Sequence, residues 1–247
     1  PVTPAGAFIR APALVSDPLC GLSSVVIRLS PMRILNSEAP FLGVNCYAVA
    51  ADSGSDCVLV DAGYGNTDAL AAGLQQHGLT PVAVLLTHGH VDHVLGLPDY
   101  MQHWDVPVWL HEADVYRLDD PAATMSTQFQ PMLADVLQGW APPKPESFAD
   151  GHEWELAGLQ ISAHHLPGHT EGSTVFSVTD GSDRVYFSGD VLFAGSIGRT
   201  DLPGGDHAAM QESLAALRTF AAAPVYPGHG PGTELSHEVA TNPFLVG

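Results

Sequence analysis

Positive charge is scarce in this sequence. It has 8 Lys plus Arg against 27 Asp plus Glu, Lys144 is its single lysine, and the formal net charge is −19 at pH 7 with neutral histidines. Such a surface repels phosphate backbones and anionic lipid headgroups, because the field of the whole protein opposes their approach. Nucleic acids and membrane surfaces are therefore not expected as partners. The charge balance does not predict whether the protein is a monomer or an oligomer.

Long apolar runs and cysteines are also scarce. No stretch approaches the roughly 20 consecutive apolar residues that a membrane-spanning helix needs, and the N-terminus lacks the charged start and apolar centre of a signal peptide. The three cysteines, Cys20, Cys46 and Cys57, are odd in number and have no Cys-x-x-Cys spacing. We expect buried free thiols, which favour a reducing compartment, and we predict a cytoplasmic protein.

The apolar content is high enough for a sizeable core. Hydrophobic residues make up 45% of the 247 residues, which fits one large domain. Residues 1–21 are rich in Pro, Ala and Gly and are predicted to form an N-terminal extension, whereas residues 22–247 form a single domain. Residues 112–147 have little periodicity, and we interpret them as an insertion near the active face.

Two kinds of pattern divide the domain. Strands and helices alternate in the first half, with strands at Val25–Leu29, Asn45–Ala50, Cys57–Val60, Val82–Leu86 and Val106–Leu110, helices at Thr67–His77 and Asp92–Trp104, and a loop containing Pro31 and Pro40 after the first strand. The second half holds short strands separated by turn residues, at Glu153–Leu156, Leu159–Leu166, Thr174–Val178 and Arg184–Ser188, and then a helix at His207–Ala222. Two sheet-rich halves with helices between them fit an α/β fold of the four-layer αββα type.

The densest functional signal directly follows the predicted strand Val82–Leu86. Residues 87–93 read Thr-His-Gly-His-Val-Asp-His, with three imidazoles and one carboxylate within six positions. Neutral imidazole and carboxylate oxygen together suit zinc or iron. His88 and His90 leave an extended backbone on the same side, whereas Asp92 and His93 fall where a helix is predicted to begin. This spacing favours one metal ion for each pair.

Three more segments supply ligand side chains, and each follows a predicted strand and contains glycine. They read Pro-Gly-His-Thr at 167–170, Ser-Gly-Asp at 188–190 and Pro-Gly-His-Gly at 227–230. Glycine lets the backbone turn sharply at the end of a strand and bring the next side chain inward. The sequence therefore predicts one rim that collects every ligand.

Seven side chains in these four segments agree in type and order with the metallo-β-lactamase fold superfamily, which the sequence resembles over roughly residues 22–245. They are His88, His90, Asp92, His93, His169, Asp190 and His229. The resemblance implies that His88, His90 and His169 hold one metal. It also implies that Asp92, His93 and His229 hold a second, with Asp190 bridging the two. Two divalent ions are therefore expected, with zinc as the first choice and iron or manganese as alternatives.

Within the superfamily, two stretches are similar to the glyoxalase II-like thioesterases and to the related persulfide dioxygenases. They are residues 189–201 and the tail at 241–245. The implied activity is hydrolysis of small thioester or ester substrates by a hydroxide that bridges two metal ions. Asp92 would be the catalytic residue, because it would orient that hydroxide.

Three other functions are compatible with parts of the pattern. A mononuclear iron persulfide dioxygenase would use His88, His169 and Asp190, since two histidines and one carboxylate suit non-haem iron. A lactonase or phosphodiesterase of the same fold would use the same hydroxide. A regulatory domain that binds metal without turnover is disfavoured, because a structural zinc closes with four ligands and has no use for the others.

Three further residues are candidate substrate contacts. Arg199 either binds a substrate carboxylate or pairs with Asp201. Phe193 lines the pocket or the core beneath it, and His165 lies close in sequence to the His169 loop. No Gly-x-Ser-x-Gly elbow is present, which argues against covalent serine catalysis.

Overall fold

The computed structural model describes residues 25–29, 32–126, 130–134 and 136–246. The predicted extension at residues 1–21, and Cys20 within it, lie outside these ranges. Cys46 and Cys57 are buried free thiols, as expected. Burial raises the pKa of Cys46 to about 11 and that of Cys57 to about 12, so both behave as inert packing groups.

The first sheet has seven strands that follow one another in chain order. They are β1 Val25–Leu29, β2 Met32–Glu38, β3 Asn45–Ala51, β4 Asp56–Val60, β5 Thr80–Leu85, β6 Val108–His111 and β7 Glu146–Phe148. Strands β1 to β4 pair antiparallel, and β4 to β7 pair parallel. Parallel pairing needs crossover connections. The helices of the first two crossovers are α1 Thr67–His77, α2 Val91–Val94 and α3 Leu97–His103.

The third crossover, between β6 and β7, is the segment interpreted as an insertion. It contains two 3₁₀ helices, Glu112–Leu118 and Pro121–Thr124, and the short helix α4 Gln130–Leu133. Leu133 packs with Val91 and Leu95 beside α2. The segment therefore packs against α2, the helix that carries Asp92 and His93, and its last residues enter β7.

The second sheet has six strands and contains the predicted antiparallel meander. Its strands are β8 Glu153–Leu156, β9 Leu159–His165, β10 Thr174–Asp180, β11 Asp183–Gly189, β14 Pro224–Pro227 and β15 Thr233–Glu234. A separate hairpin pairs β12 Leu192–Phe193 with β13 Ser196–Ile197. Strand β14 is parallel to β11, and α5 His207–Leu217 lies in the connection between them. The last helix is α6 Leu235–Thr241.

Three buried clusters arrange these elements in layers. The cluster between the sheets joins inward residues of β2 and β3, such as Ile34 and Val49, to Phe176 and Phe187 of the second sheet. A second cluster packs α1 and α3 on the outer face of the first sheet. A third packs α5 on the outer face of the second sheet through Met210 and its neighbours. Burying one large apolar side chain in these clusters stabilises the folded protein by about 2 kcal/mol. The order of the layers, helices, sheet, sheet and helices, confirms the predicted αββα sandwich.

Two local predictions were wrong. Residues 32–38, predicted as part of a loop, form strand β2. The strand is buried on both faces, because Ile34 packs in the cluster between the sheets and Leu35 packs in the cluster on the outer face of the first sheet. The helix predicted at Asp92–Trp104 is divided at Gly96. A side chain at Gly96 would overlap the carbonyl of Gly63, so the chain turns where the two backbones touch. In the described part of the chain, no helix has the length and apolar character needed to cross a bilayer.

Candidate metal centre

The seven candidate ligands lie where strands of both sheets end. His88 and His90 follow β5, and the helical turn of α2 carries Asp92 and His93. His169 follows β9, Asp190 directly follows β11, and His229 follows β14. Glycine is required beside them, because a side chain at Gly228 would overlap Asp190 and lie 2.7 Å from His93 Cε1. The strand ends therefore bring all seven side chains to one rim, as the sequence predicted.

The first group consists of His88, His90 and His169. His88 Nε2 lies 3.1 Å from His90 Nδ1, and His90 Nδ1 lies 2.8 Å from His169 Nε2. One ring nitrogen from each residue lies within 4.8 Å of the others, and all three residues are buried. Three imidazole nitrogens that face one another this closely form a site for a cation.

The second group consists of Asp92, His93 and His229, and one ligand atom of each residue also lies within 4.8 Å of the others. His229 Nε2 lies 3.2 Å from Asp92 Oδ2, and His93 Nε2 lies 3.8 Å from the same oxygen. The side chain of His229 is 28% exposed, compared with 11% for Asp92 and 0% for His93. The second group is therefore open to solvent at His229.

Asp190 lies between the two groups. Its Oδ2 is 3.4 Å from His169 Nε2 in the first group and 3.6 Å from His229 Nε2 in the second. Its Oδ1 is 3.4 Å from His93 Nε2. One carboxylate thus faces ligands of both groups.

Two unpaired atoms test whether these residues fit a metal. His93 Nε2 and Asp190 Oδ1 are buried and have no hydrogen-bond partner among the described residues. Leaving such groups unpaired costs roughly 1–3 kcal/mol each. A cation between them would satisfy both, so the donor set fits divalent metal.

The protonation states of the first group suit metal binding. Burial, together with the neighbouring His93 and His169, holds the pKa of His88 well below its usual value. Burial and His169 do the same for His90. Both imidazoles are neutral at physiological pH, and neutral imidazole is the form that donates to a metal.

The carboxylates remain ionised. Burial opposes this, but His93 together with other histidines outweighs burial and lowers the pKa of Asp92 and of Asp190. For His93, burial lowers the pKa, but Asp61 and the carboxylates of the site raise it well above its usual value. A cation at His93 Nε2 would take the place of that proton.

Asp61 supports the site, although it lies outside the metal-binding motifs of the sequence. It is 1% exposed and has a left-handed backbone with φ of 62°. Its carboxylate accepts hydrogen bonds from Thr87 N at 2.8 Å and from His93 Nδ1 at 2.8 Å. Because Nδ1 carries the donated proton, His93 presents Nε2 to the cluster. Its only sequence signal is a position directly after a strand and before Ala-Gly.

Two other histidines are oriented in the same way by backbone oxygens. His169 Nδ1 donates to the carbonyl of Arg199 at 2.8 Å, and His229 Nδ1 donates to the carbonyl of Gly43 at 3.2 Å. Each ring therefore presents Nε2 to the carboxylate of Asp190. A hydrogen bond at Nδ1 of this kind also strengthens the basicity of the ligand nitrogen.

The three candidate substrate contacts have different surroundings. The ring of Phe193 is partly buried, and its centroid lies 6.2 Å from that of His229, on the side where the site is open. Arg199 is exposed and forms a two-pronged ion pair with Asp201, at 2.6 Å and 2.7 Å. The third, His165, stacks on His111 with centroids 4.0 Å apart. Phe193 therefore borders the site, whereas Arg199 and His165 are occupied by protein partners.

An αββα sandwich with histidines and carboxylates gathered in two adjoining groups at its rim defines a class of metal-dependent hydrolases. The family model for the Metallo-beta-lactamase superfamily matches residues 39–229. The chain belongs to the metallo-β-lactamase superfamily, and the expected family is confirmed.

Relatives of known sequence extend over most of the chain. An uncharacterised protein of Mycobacterium tuberculosis is 37% identical over 221 residues, which cover 87% of this chain and 99% of the relative. The probable metallo-hydrolase YqgX of Bacillus subtilis is 33% identical, covering 82% and 92%. The hydroxyacylglutathione hydrolase GloC of Haemophilus influenzae is 31% identical, covering 81% of this chain and 92% of the relative.

Solved structures agree with this placement. A crystal structure of the B3 metallo-β-lactamase BLEG-1 has 34% identity and a TM-score of 0.73, covering 87% of this chain and 100% of that one. A crystal structure of TTHA1623 in a di-iron-bound form has 38% identity and a TM-score of 0.68, covering 85% and 99%. Neighbours of similar sequence therefore share the fold over nearly their whole length.

Proposed function

We propose that this protein is a dinuclear metallohydrolase of the glyoxalase II-like type, acting on small thioester or ester substrates. The observation that carries the proposal is the pair of ligand groups that share Asp190. The relationship to a hydroxyacylglutathione hydrolase at 31% identity supports the subgroup. The first group would be His88, His90 and His169, and the second Asp92, His93 and His229.

Divalent ions held by these residues would lower the pKa of water to about 7 from about 15.7 and would polarise the carbonyl of the substrate. Zinc fits this donor set first. Iron is an alternative, because a neighbour at 38% identity has a crystal structure in a di-iron-bound form.

Asp92 is the proposed catalytic residue. His93 and the hydrogen bond from His229 keep its carboxylate ionised in spite of burial, by lowering its pKa. An ionised carboxylate at the open end of the site accepts a hydrogen bond from the attacking water and fixes its orientation. Phe193, beside His229, would contact the acyl group of the substrate, because its ring borders the same opening.

The surroundings of Arg199 bear on the thiol half of the substrate. Its guanidinium is paired with Asp201 through Nε and Nη2, so its charge is already matched by a carboxylate of the protein. The chain as a whole carries a net charge of −19. We infer a preference for thioesters of small, weakly charged thiols over glutathione, whose carboxylates require paired cations.

The test is a substrate panel with purified protein of known zinc content. The panel contains a hydroxyacyl-glutathione thioester, a small neutral thioester, a lactone, a phosphodiester and glutathione persulfide. Thioester cleavage is expected to exceed the other activities. Oxygen consumption with the persulfide would instead identify the mononuclear iron dioxygenase, and dominant lactone or phosphodiester cleavage would identify the other hydrolases of this fold.

The variant Asp92→Asn tests the role of the carboxylate. Loss of a positioned proton acceptor lowers rates by about 100-fold to 10,000-fold, and kcat is expected to fall by that amount with the fold unchanged. Asp68→Asn is the control, because its side chain is fully exposed on α1. Unchanged turnover in Asp92→Asn would exclude this mechanism.

A further inference from the structure

A second buried carboxylate lies outside the ligand groups. Asp114, in the 3₁₀ helix Glu112–Leu118, is 0% exposed. Its Oδ2 accepts hydrogen bonds from Gly89 N at 2.7 Å and from Thr170 Oγ1 at 2.7 Å. Its Oδ1 accepts from Gly172 N at 2.8 Å and from Arg117 Nε at 3.0 Å. Four donors therefore converge on one carboxylate.

Three of these donors belong to the two loops that carry the first ligand group. Gly89 lies between His88 and His90 in the chain, and Thr170 directly follows His169. Gly172 lies two residues further along the same loop. One carboxylate thus ties together two loops from different sheets. Asp61, a further buried carboxylate outside the ligand groups, contacts His93 of the second group directly.

The glycines at the contact points are needed for this approach. A Cβ at Gly172 would lie 2.6 Å from Asp114 Cγ, and a Cβ at Gly89 would lie 2.8 Å from Arg117 Cδ. Real Cβ atoms do not come this close to other heavy atoms. Both loops therefore pass close to the 3₁₀ helix, and their backbone amides can point straight at the carboxylate.

Arg117 neutralises the carboxylate without reaching the ligands. It is 1% exposed, and beyond Asp114 its guanidinium bonds to Glu171 and to the carbonyl of Pro203 at 3.0 Å. A buried ion pair contributes little net stability, because the desolvation of the two charges offsets their attraction. With its charge balanced by Arg117, the Asp114 carboxylate holds two acceptor oxygens at fixed positions for the donors of both loops.

We propose that Asp114 is the positioning residue for the first metal ion, setting the separation between the loop of His88 and His90 and the loop of His169. The inference rests on the proposed function, because it presupposes metal at the first group. In Asp114→Asn, one acceptor oxygen becomes a donor that faces backbone N–H or hydroxyl groups. The two loops then move apart, and the close arrangement of His90 Nδ1 and His169 Nε2 is lost.

The experiment measures zinc binding by calorimetry, with elemental analysis of the dialysed protein, and does not depend on turnover. Wild-type protein is expected to bind two equivalents. Loss of a residue that orients metal ligands typically weakens binding 10-fold to 100-fold. Asp114→Asn is therefore expected to weaken one equivalent by about that factor and to leave the other within about twofold.

Two backgrounds identify the affected site. His229→Ala disables the second group, and in this background Asp114→Asn is expected to weaken the remaining zinc at least tenfold, in line with the loss of a residue that orients ligands. His90→Ala disables the first group, and here Asp114→Asn is expected to have no further effect on zinc binding. Equal effects in the two backgrounds, or none in either, would overturn the inference.

Two further variants separate positioning from general destabilisation. Glu238→Gln changes another buried carboxylate, which accepts from Gly195 N, Thr233 Oγ1 and Asn242 Nδ2 away from the ligand loops, and it is expected to lower Tm without discriminating between the sites. Thr170→Val removes the bond from Thr170 Oγ1 to Asp114 together with its contact with Ser173 Oγ. If Asp114→Asn does not fold, weaker zinc binding at the first group alone in Thr170→Val supports the positioning role, and unchanged zinc binding overturns it. A wild-type chain that binds no zinc would overturn the proposed function as well, whereas two equivalents weakened equally by Asp114→Asn would overturn the positioning role alone.

Discussion

The substitution Asp61→Asn tests how the second ligand group is oriented. Asn tolerates the left-handed backbone of this position, where φ is 62°, so the change acts through the side chain alone. The amide oxygen can still accept from Thr87 N, but the amide nitrogen then faces His93 Nδ1 in place of an anionic oxygen that lies 2.8 Å away. His93 must turn Nδ1 into an acceptor, which places its proton on Nε2, the nitrogen that faces Asp190.

The magnitude follows from the bond that is lost. A hydrogen bond to a charged group contributes about 1.5–3 kcal/mol, and 1.4 kcal/mol corresponds to a factor of ten in affinity. We expect zinc affinity at the second group to fall about 10-fold to 100-fold, while the first group changes little.

Zinc calorimetry on Asp61→Asn in the His90→Ala background isolates that group. The thermal midpoint of the metal-free protein, measured in parallel, reports any loss of stability that is unrelated to metal. Affinity equal to that of the His90→Ala parent would refute the assignment of His93 Nε2 as the ligand atom.

Two other predictions concern packing and pH. Gly228→Ala is expected to weaken both zinc equivalents, because the added methyl overlaps Asp190, and to destabilise the fold by about 1–3 kcal/mol, as overpacking does. Gly54→Ala is the control, because its added methyl meets only ordinary contacts at 3.5 Å or more. Equal zinc binding in the two variants would contradict the prediction. Burial and the stacked His165 lower the pKa of His111 in the folded protein. Below the unfolded value of about 6.5, the unfolded protein therefore binds more protons at this residue, and stability is lost as pH falls from there towards the lower folded pKa. His111→Gln should therefore flatten the decline of Tm between pH 7.5 and 5.5 in denaturation scans, and a decline as steep as that of the wild type would contradict the assignment.

The elements that could be predicted are those whose signal is local. Each ligand segment combines a strand end, a glycine and a metal-binding side chain. Because the segments share this position at a strand end, the sequence predicts that their side chains meet at one rim. Strand β2 could not be predicted, because Pro31 and Pro40 favour a loop in the sequence and the residues between them, Met-Arg-Ile-Leu-Asn-Ser-Glu, do not alternate between apolar and polar. The division of the helix at Gly96 depends on a contact with Gly63, which lies 33 positions earlier in the chain and leaves no periodic mark.

The supporting carboxylates could not be found in this way. Asp114 bonds to residues 25, 56 and 58 positions away, and their relation exists only once both sheets are assembled. Nothing in its neighbours Ala113 and Val115 distinguishes it from a surface acid. Asp61 is intermediate, because its place at the end of β4 is visible in the sequence but its partner His93 is 32 positions away.

Each ligand group takes members from both sheets. In the first, His88 and His90 come from the sheet formed early in the chain and His169 from the later one; in the second, His229 alone represents the later sheet and is held by the carbonyl of Gly43 from the earlier one. Each ion would cross-link the two sheets at their shared edge, and neither sheet could assemble a site by itself. Chelation of the metal should therefore make the interface between the two sheets accessible to proteases before either sheet unfolds.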